Sequence, residues 1–270
     1  KKVTDAVHAQ GGTIVLQIMH CGRCSHADNK SPRAETVAPS AISVKGEVFT
    51  ETGMKPFSPP RALETSEIPA IVEQYRQATA NAFTAGFDGV ELHCASGYLP
   101  AQFLSPGSNQ RQDQYGGSLA NRVRFVLEVL EAMSSVKGAE RVGLRICPGF
   151  AFNDVADPDP EDTFRGLLAA IQHLPLAYLH LMRASTIDIN ALARNNFSGP
   201  RILNGGYDAA SAAKALAQGD AETISFANLY IANPDLVERF KGNLPLSEPD
   251  LSTIYSPSRE GYCDYPAHQG

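Results

Sequence analysis

Residues 88–102 read DGVELHCASGYLPAQ, and this stretch decides both the fold and the chemistry of the chain. Side chains on a strand alternate between two faces, so Val90 and Leu92 fall on one face and Glu91 and His93 on the other. The apolar face is suited to packing against a layer of helices. We therefore expect a buried strand that carries a histidine at its carboxyl end.

Three polar side chains gather where this strand ends. His93 closes the strand, and Ser96 and Tyr98 follow it closely. An imidazole, a hydroxyl and a phenol at one strand end can hold a polarised oxygen and protonate a carbon. We interpret all three as catalytic candidates, although a histidine taken alone is more often a core residue with satisfied hydrogen bonds.

Composition limits the class of protein. The chain has 270 residues, of which 43% are hydrophobic, and a formal net charge of −6, as expected of a globular protein with a sizeable core. The acidic balance argues against nucleic acid as a partner. No apolar run reaches the ~18 residues of a membrane span, so no membrane partner is expected. Five cysteines favour a reduced, cytoplasmic protein over a disulfide scaffold.

Short buried strands alternate with helices on both sides of this stretch. Strands are predicted at 13–19, 88–93, 142–146, 177–182, 201–204 and 223–226, and helices at 69–85, 119–136, 161–173, 208–217 and 234–241. The proline-rich residues 20–65 are predicted to form a long functional loop. About six βα units in one domain, residues 1–270, indicate an α/β fold with a parallel sheet.

Polar residues near the strand ends favour a barrel. They are Gln17, His93, Arg145, His180 and Asn204. Catalytic groups of an eight-stranded βα barrel come from the carboxyl ends of its strands. No GxGxxG follows an early strand, which argues against the dinucleotide-binding doubly wound fold. We therefore predict a TIM-type (β/α)8 barrel.

The first residues suggest an incomplete barrel. They read as the tail of an amphipathic helix without an N-cap, and Lys1 and Lys2 lie where a helix dipole favours acidic residues. We expect either that upstream sequence is missing or that a remodelled terminus replaces it.

A cluster of possible metal ligands follows the first strand. His20, Cys21, Cys24 and His26 include a Cys-x-x-Cys pair, which can hold zinc. No second pair of ligands occurs elsewhere in the sequence. We interpret the segment as a structural loop and expect no metal.

Nine stretches together resemble one known family. They are GGTIVLQIMHCGRCSH, VAPSAI, AGFDGVELHCASGYLPAQFL, SNQRQDQYGGSLANR, RVGLRICP, LAYLHL, ILNGGYD, IANPDLVERF and EGYCDYP. Their order and spacing are similar to those of the Old Yellow Enzyme family of FMN-dependent ene-reductases. The resemblance implies an eight-stranded βα barrel with FMN over its carboxyl mouth.

The resemblance also implies cofactor contacts. Gln17 matches a glutamine that bonds the flavin pyrimidine edge, and Arg145 matches an arginine near flavin N1 and O2. Gly205 and Gly206 match a backbone loop for the FMN phosphate. Without the resemblance, each of these residues could have a purely structural role: Gln17 could tie strands together, Arg145 could pair with Glu91, and the glycines could form only a tight turn.

The implied reaction is reduction of an activated alkene. His93 matches a donor to the carbonyl oxygen of an enone-type substrate, and Ser96 stands where the family has a second donor, Asn or His. Tyr98 matches the proton donor to the α-carbon. Reduced FMN would deliver hydride to the β-carbon, and NAD(P)H would reduce the flavin again. The chain is expected to be a monomer or homodimer.

Two departures from the family leave an alternative open. The family has two further barrel strands upstream, and its phosphate loop usually reads Phe-Gly-Arg where this chain has Phe226, Ala227 and Asn228. Loss of a charge-assisted pair with the phosphate would cost roughly 1.5–3 kcal/mol. The alternative is a flavin-free barrel that acts as an isomerase or cyclase by acid–base catalysis, or an inactive scaffold.

Overall fold

The computed structural model describes residues 1–184, 186–254 and 259–268. The strands, in chain order, are β1 (Val15–Ile18), β2 (Val37–Ala38), β3 (Glu47–Thr50), β4 (Gly53–Pro56), β5 (Arg61–Ala62), β6 (Gly89–Cys94), β7 (Val142–Ile146), β8 (Tyr178–Met182), β9 (Arg201–Asn204) and β10 (Thr223–Ser225). The helices are α1 (Lys2–His8), α2 (Ile68–Thr84), α3 (Leu99–Leu104), α4 (Leu119–Lys137), α5 (Pro160–Ile171), α6 (Ile189–Asn196), α7 (Ala209–Ala217), α8 (Asn228–Ala232) and α9 (Leu236–Gly242).

The chain divides into two compact units, Lys1–Arg201 and Ile202–Gly270. In the first unit β1, β6, β7 and β8 form a parallel sheet in that order. The predicted parallel α/β arrangement is therefore present. The prediction of one domain over 1–270 stays a prediction.

Strand β6 is buried along its whole length because both of its faces are covered. On one face Val90 and Leu92 are fully buried among apolar side chains. Helices α2, α3 and α4 supply aromatic residues to this core: Tyr75 of α2 meets Phe125 of α4 edge-on at 6.4 Å between ring centroids, and Phe103 of α3 stacks on Phe125 at 4.1 Å. The apolar alternation of the sequence thus places the strand against its helices.

The other face of β6 carries polar side chains in register with those of its neighbours. Gln17 of β1 lies opposite Glu91, and His93 lies opposite Arg145 of β7. In parallel strands, paired residues point to the same face of the sheet. The polar groups from separate strands are therefore collected on one face.

The prediction that residues 20–65 are loop-like was wrong in part. Strands β3 and β4 form an antiparallel hairpin, and β2 pairs in parallel with β5. The hairpin turns between Thr50 and Gly53, and Gly53 has a φ of +110°, which only glycine adopts readily. Phe49 and Met54 of the hairpin are exposed, so these strands lack the alternation of buried apolar and exposed polar residues from which a strand is predicted.

The described part of the second unit has two paired strands and three helices. Strand β10 pairs in parallel with β9, with Ser225 opposite Asn204. Asp208 caps α7 by accepting hydrogen bonds from the backbone N–H and the hydroxyl of Ser211. The predicted helix 208–217 is thus confirmed with a one-residue shift at its start, whereas the short α8 was not predicted.

In the three described stretches, no helix combines the length and the apolar character that crossing a membrane would require.

Candidate active site

His93 is a buried, neutral side chain at the end of β6. Burial lowers its pKa to about 4, and the charge of Arg145 contributes to this shift. Its Nδ1 is buried without a hydrogen-bond partner among the described residues. A neutral imidazole keeps one N–H, which can donate a hydrogen bond.

Tyr98 packs against this imidazole. The two rings meet edge-on with their centroids 5.0 Å apart. Tyr98 is the N-cap residue of α3 and is only half-buried. The structure thus brings together a neutral imidazole and a phenol, as the sequence predicted.

Ser96 forms the turn between these two side chains. It has a φ of +56°, an uncommon conformation for a residue with a side chain. Its backbone N–H donates to Sγ of Cys147 at 3.0 Å, and its carbonyl accepts from Nδ2 of Asn153 at 2.8 Å. Two residues from the loop after β7 therefore hold the turn in place.

Gly97, which follows Ser96, connects the turn to Gln102 of α3 and to Cys24 of the loop after β1. Gly97 has a φ of +74°, and a Cβ there would lie 2.8 Å from that of Asn153, so only glycine fits. Its carbonyl accepts hydrogen bonds from Nε2 of Gln102 at 2.7 Å and from Sγ of Cys24 at 3.1 Å. Backbone and loop contacts thus fix the position of Tyr98.

An apolar cavity of about 350 Å³ adjoins this turn. Gly97 and Ala101 line one part of it, and Cys147, Phe150 and Phe164 line another. Such a cavity can receive the apolar body of a small molecule.

A chain of hydrogen bonds connects the polar groups on the inner face of the sheet. Arg145 donates to Nε2 of His180 at 2.6 Å, and Nδ1 of His180 lies 2.9 Å from Oε2 of Glu91. Oε1 of Glu91 accepts from Nε2 of Gln17 at 2.6 Å. The two predicted flavin contacts, Gln17 and Arg145, are therefore the two ends of one network.

The electrostatics of this network favour a charged Glu91. Burial alone would raise the pKa of this carboxyl. The hydrogen bonds from His180 and Gln17 and the charge of Arg145 outweigh burial and lower the pKa. The Arg145 guanidinium is thus balanced by a buried carboxylate that it reaches through an imidazole. The internal ion pair between Arg145 and Glu91 considered from sequence takes this indirect form.

The predicted phosphate loop lies in the second unit. Gly205, Gly206, Ala227 and Asn228 all line one pocket of about 450 Å³. Gly205 and Gly206 have φ values of +103° and +70°, which favour glycine at both positions. The structure brings these four residues together, and their backbone amides suit an anion.

Sequence reasoning missed several residues of the site. Cys147 and Asn153 hold the Ser96 turn, and the sequence identified His180 only as a polar residue near a strand end, not as a link between Glu91 and Arg145. The position of His180 on an inward face was readable from strand alternation. Nothing in the sequence indicated Asn153, which reaches the turn from a distant loop.

The His and Cys cluster near residue 20 takes part in loop structure. Nδ1 of His20 accepts the backbone N–H of Gly22, and Nδ1 of His26 accepts that of Asp28. Within residues 1–184, 186–254 and 259–268, no group of three or more His, Cys, Asp or Glu side chains could hold a metal ion.

Comparison with known proteins identifies the family. A profile described as "NADH:flavin oxidoreductase / NADH oxidase family" matches residues 1–247. A probable flavin mononucleotide-dependent alkene reductase of Leishmania infantum is 41% identical over 275 residues, which are 98% of this chain and 75% of that protein. The 12-oxophytodienoate reductase 7 of Oryza sativa subsp. japonica is 41% identical over 294 residues, 98% of this chain and 74% of that protein.

Solved structures agree with this match. Morphinone reductase in complex with tetrahydroNAD superposes with a TM-score of 0.94 at 45% identity, over 99% of this chain and 76% of that one. The old yellow enzyme homologue from Zymomonas mobilis superposes with a TM-score of 0.95 at 34% identity, over 98% and 77%. These matches confirm the predicted TIM-type α/β class. The chain belongs to the Old Yellow Enzyme family of flavin oxidoreductases.

Proposed function

We propose that this chain is an FMN-dependent oxidoreductase that reduces the activated C=C bond of α,β-unsaturated carbonyl compounds, with NAD(P)H as electron donor. The observation that carries the proposal is the pair His93 and Tyr98, a neutral imidazole packed edge-on against a half-buried phenol. The pair lies in a chain whose relatives include a probable alkene reductase.

Each unit has residues that fit one part of a flavin. Arg145 and Gln17 lie on the inner face of the sheet, and we assign to them the ring contacts that the family resemblance implies. The pocket lined by Gly205, Gly206 and Asn228 suits the phosphate, because amides at a glycine turn approach an anion closely. When bound, FMN supplies the hydride that is added to the β-carbon of the substrate.

His93 would polarise the substrate. Its pKa of about 4 keeps the ring neutral near pH 7, so its N–H acts as a neutral donor to the carbonyl oxygen. This hydrogen bond draws electron density onto the oxygen and stabilises the enolate as it forms. Ser96 is the second donor that we propose, through its hydroxyl.

Tyr98 would complete the addition. A phenol with a pKa of about 10 stays protonated at neutral pH and is a competent acid toward an enolate carbon. The contacts of Ser96 with Cys147 and Asn153 hold the segment that carries this phenol. The apolar cavity beside Gly97 would receive the apolar part of the substrate.

We also propose a location and an oligomeric state for the protein. A cytoplasmic location is supported by five cysteines that are all free thiols. We propose that the chain is a monomer or a homodimer. Steady-state rates with NADH and with NADPH would identify the preferred electron donor.

A visible absorption spectrum of the purified chain tests the proposal first. We expect a flavin band at about one FMN per chain, released on denaturation. Titration of added FMN, followed by flavin fluorescence, would measure affinity if the protein is isolated without it. A colourless chain that leaves FMN fluorescence unchanged would contradict the redox function and favour the flavin-free alternative.

The phosphate pocket can be tested separately with Asn228→Arg. A guanidinium adds a charge-assisted hydrogen bond to the phosphate, so we expect the Kd for FMN to fall about tenfold or more. Riboflavin, which lacks the phosphate, is the matched control and should bind both proteins equally. An equal gain for riboflavin would remove the phosphate assignment.

A further inference from the structure

We propose that Glu91 is a positioning residue that orients both predicted flavin contacts, Gln17 directly and Arg145 through His180. The inference rests on the proposed binding of FMN. It assigns a role to Glu91 and His180, neither of which is expected to touch the substrate.

The Gln17 amide contacts the Glu91 carboxylate directly. An ionised carboxylate only accepts hydrogen bonds, so the group 2.6 Å from Oε1 of Glu91 must be the amide nitrogen of Gln17. That contact fixes which way the amide is turned. Its oxygen Oε1 therefore points away from Glu91 and is presented as an acceptor, which suits an imide N–H such as that of a flavin pyrimidine ring.

His180 connects Glu91 to Arg145. Its Nδ1 faces the Glu91 carboxylate at 2.9 Å and must therefore carry a proton. Nη1 of Arg145 lies 2.6 Å from Nε2 and 3.1 Å from Nδ1 of the same ring, so the guanidinium lies against the imidazole. His180 therefore lies between the Glu91 carboxylate and the Arg145 guanidinium, and through these contacts it transmits the orientation of Glu91 to Arg145.

The space around the Glu91 carboxylate is also restricted. Burial and the charge of Glu91 raise the pKa of the Tyr178 phenol, so it stays protonated. Gly143 lies between them in the sheet register, and a Cβ there would be 2.3 Å from the Tyr178 ring. Glu91 thus accepts from side chains on β1 and β8, which holds the carboxylate in one orientation.

Glu91→Gln tests the proposal because it removes the charge at nearly constant shape. The uncompensated Arg145 charge should favour the reduced, anionic flavin. We expect the affinity for reduced flavin, relative to that for oxidised flavin, to rise about tenfold. This change corresponds to a rise in the flavin midpoint potential of ~30 mV for a two-electron couple. Glu73→Gln, which removes one negative charge from an exposed pair with Arg76, is the matched control and should leave the potential unchanged.

Two variants of His180 distinguish loss of the hydrogen-bonded link from loss of folding. In His180→Gln the amide can donate to Glu91 and accept from Arg145, so we expect a potential and an FMN Kd close to those of the unsubstituted chain. His180→Leu interrupts the link and should change both. Equal behaviour of the two His180 variants, or an unchanged potential in Glu91→Gln, would overturn the proposal.

Nitrogen NMR of His180 gives a readout that needs no flavin. The Nδ1–H tautomer should dominate in the full chain at neutral pH, and its population should fall in Glu91→Gln. An Nε2–H tautomer would overturn the positioning role even if FMN binds. Failure of the unsubstituted chain to bind FMN, with the Nδ1–H tautomer present, would instead reject the proposed function.

Discussion

The two faces of strand β6 are equally buried, yet they are stabilised by different means. Val90 and Leu92 are packed among apolar side chains and need no partner, because burial of apolar surface is favourable by itself. Glu91 and His93 are equally removed from water and must be compensated by hydrogen bonds or by loss of charge. Glu91 keeps its charge within a network, whereas His93 stays neutral. One strand therefore contributes its apolar face to stability and its polar face to chemistry.

Tyr98→Phe should have the largest effect on the chemical side of this comparison. Loss of the general acid is expected to slow enone reduction by about 10²–10⁴-fold, while reduction of the flavin by NAD(P)H stays nearly unchanged. Stopped-flow measurement of the two half-reactions separates these effects, with the exposed Tyr262→Phe as control. Equal loss in both half-reactions would contradict the assigned role.

Leu92→Ala should have the largest effect on the packing side. The side chain is fully buried, so its truncation is expected to lower the free energy of unfolding by about 2–5 kcal/mol. Leu216→Ala, at a side chain that is 43% exposed, should cost far less. Urea unfolding of both variants is the measurement, and equal losses would show that this face is not the core we describe.

His93 should make stability depend on pH. Its pKa is about 4 in the folded chain, whereas an unfolded histidine titrates near ~6.5. Between these values the unfolded chain binds more protons, so the free energy of unfolding falls as the pH drops through this window. We expect a loss of about 2 kcal/mol from this group between pH 7 and pH 5.

The matched variant for this prediction is His93→Asn, which does not titrate. Its free energy of unfolding should fall less between pH 7 and pH 5 than that of the unsubstituted chain. Urea unfolding at the two pH values measures the difference. Identical pH dependence in both proteins would remove His93 as the cause.

Ser96→Gly should have the smallest effect. Glycine adopts a φ of +56° without strain, so the free energy of unfolding is expected to rise by up to about 1 kcal/mol. Catalysis should fall modestly through loss of the hydroxyl, and Ser96→Ala, which keeps the strain, should show that loss without the gain in stability. A destabilised Ser96→Gly would indicate that the turn is held mainly by the serine hydroxyl.

The sequence predicted the elements that have a strong hydrophobic period. Strand β6 and helix α4 were found where the structure has them, because each buries one continuous apolar face. Helix α3 was missed because all six of its residues are buried and show no alternation. The hairpin of β3 and β4 was missed for the opposite reason, since it is largely exposed.

The candidate site was predictable residue by residue but not as a network. His93, Ser96 and Tyr98 are close in sequence, so their proximity followed from one strand and one turn. The link from Arg145 through His180 to Glu91 depends on the register of three strands, which no single stretch of sequence specifies. The hydrogen bond from Asn153 to Ser96 depends on the path of a loop and could not be predicted.

The glycine at position 143 limits which substitutions the interior of this barrel can accept. Because a Cβ at that position would collide with the Tyr178 ring, the two positions share one volume on neighbouring strands. Enlarging one is compatible with folding only if the other becomes smaller. Positions 143 and 178 should therefore be varied together in any library that reshapes the interior, and a larger residue at 143 should be tolerated only with a smaller one at 178.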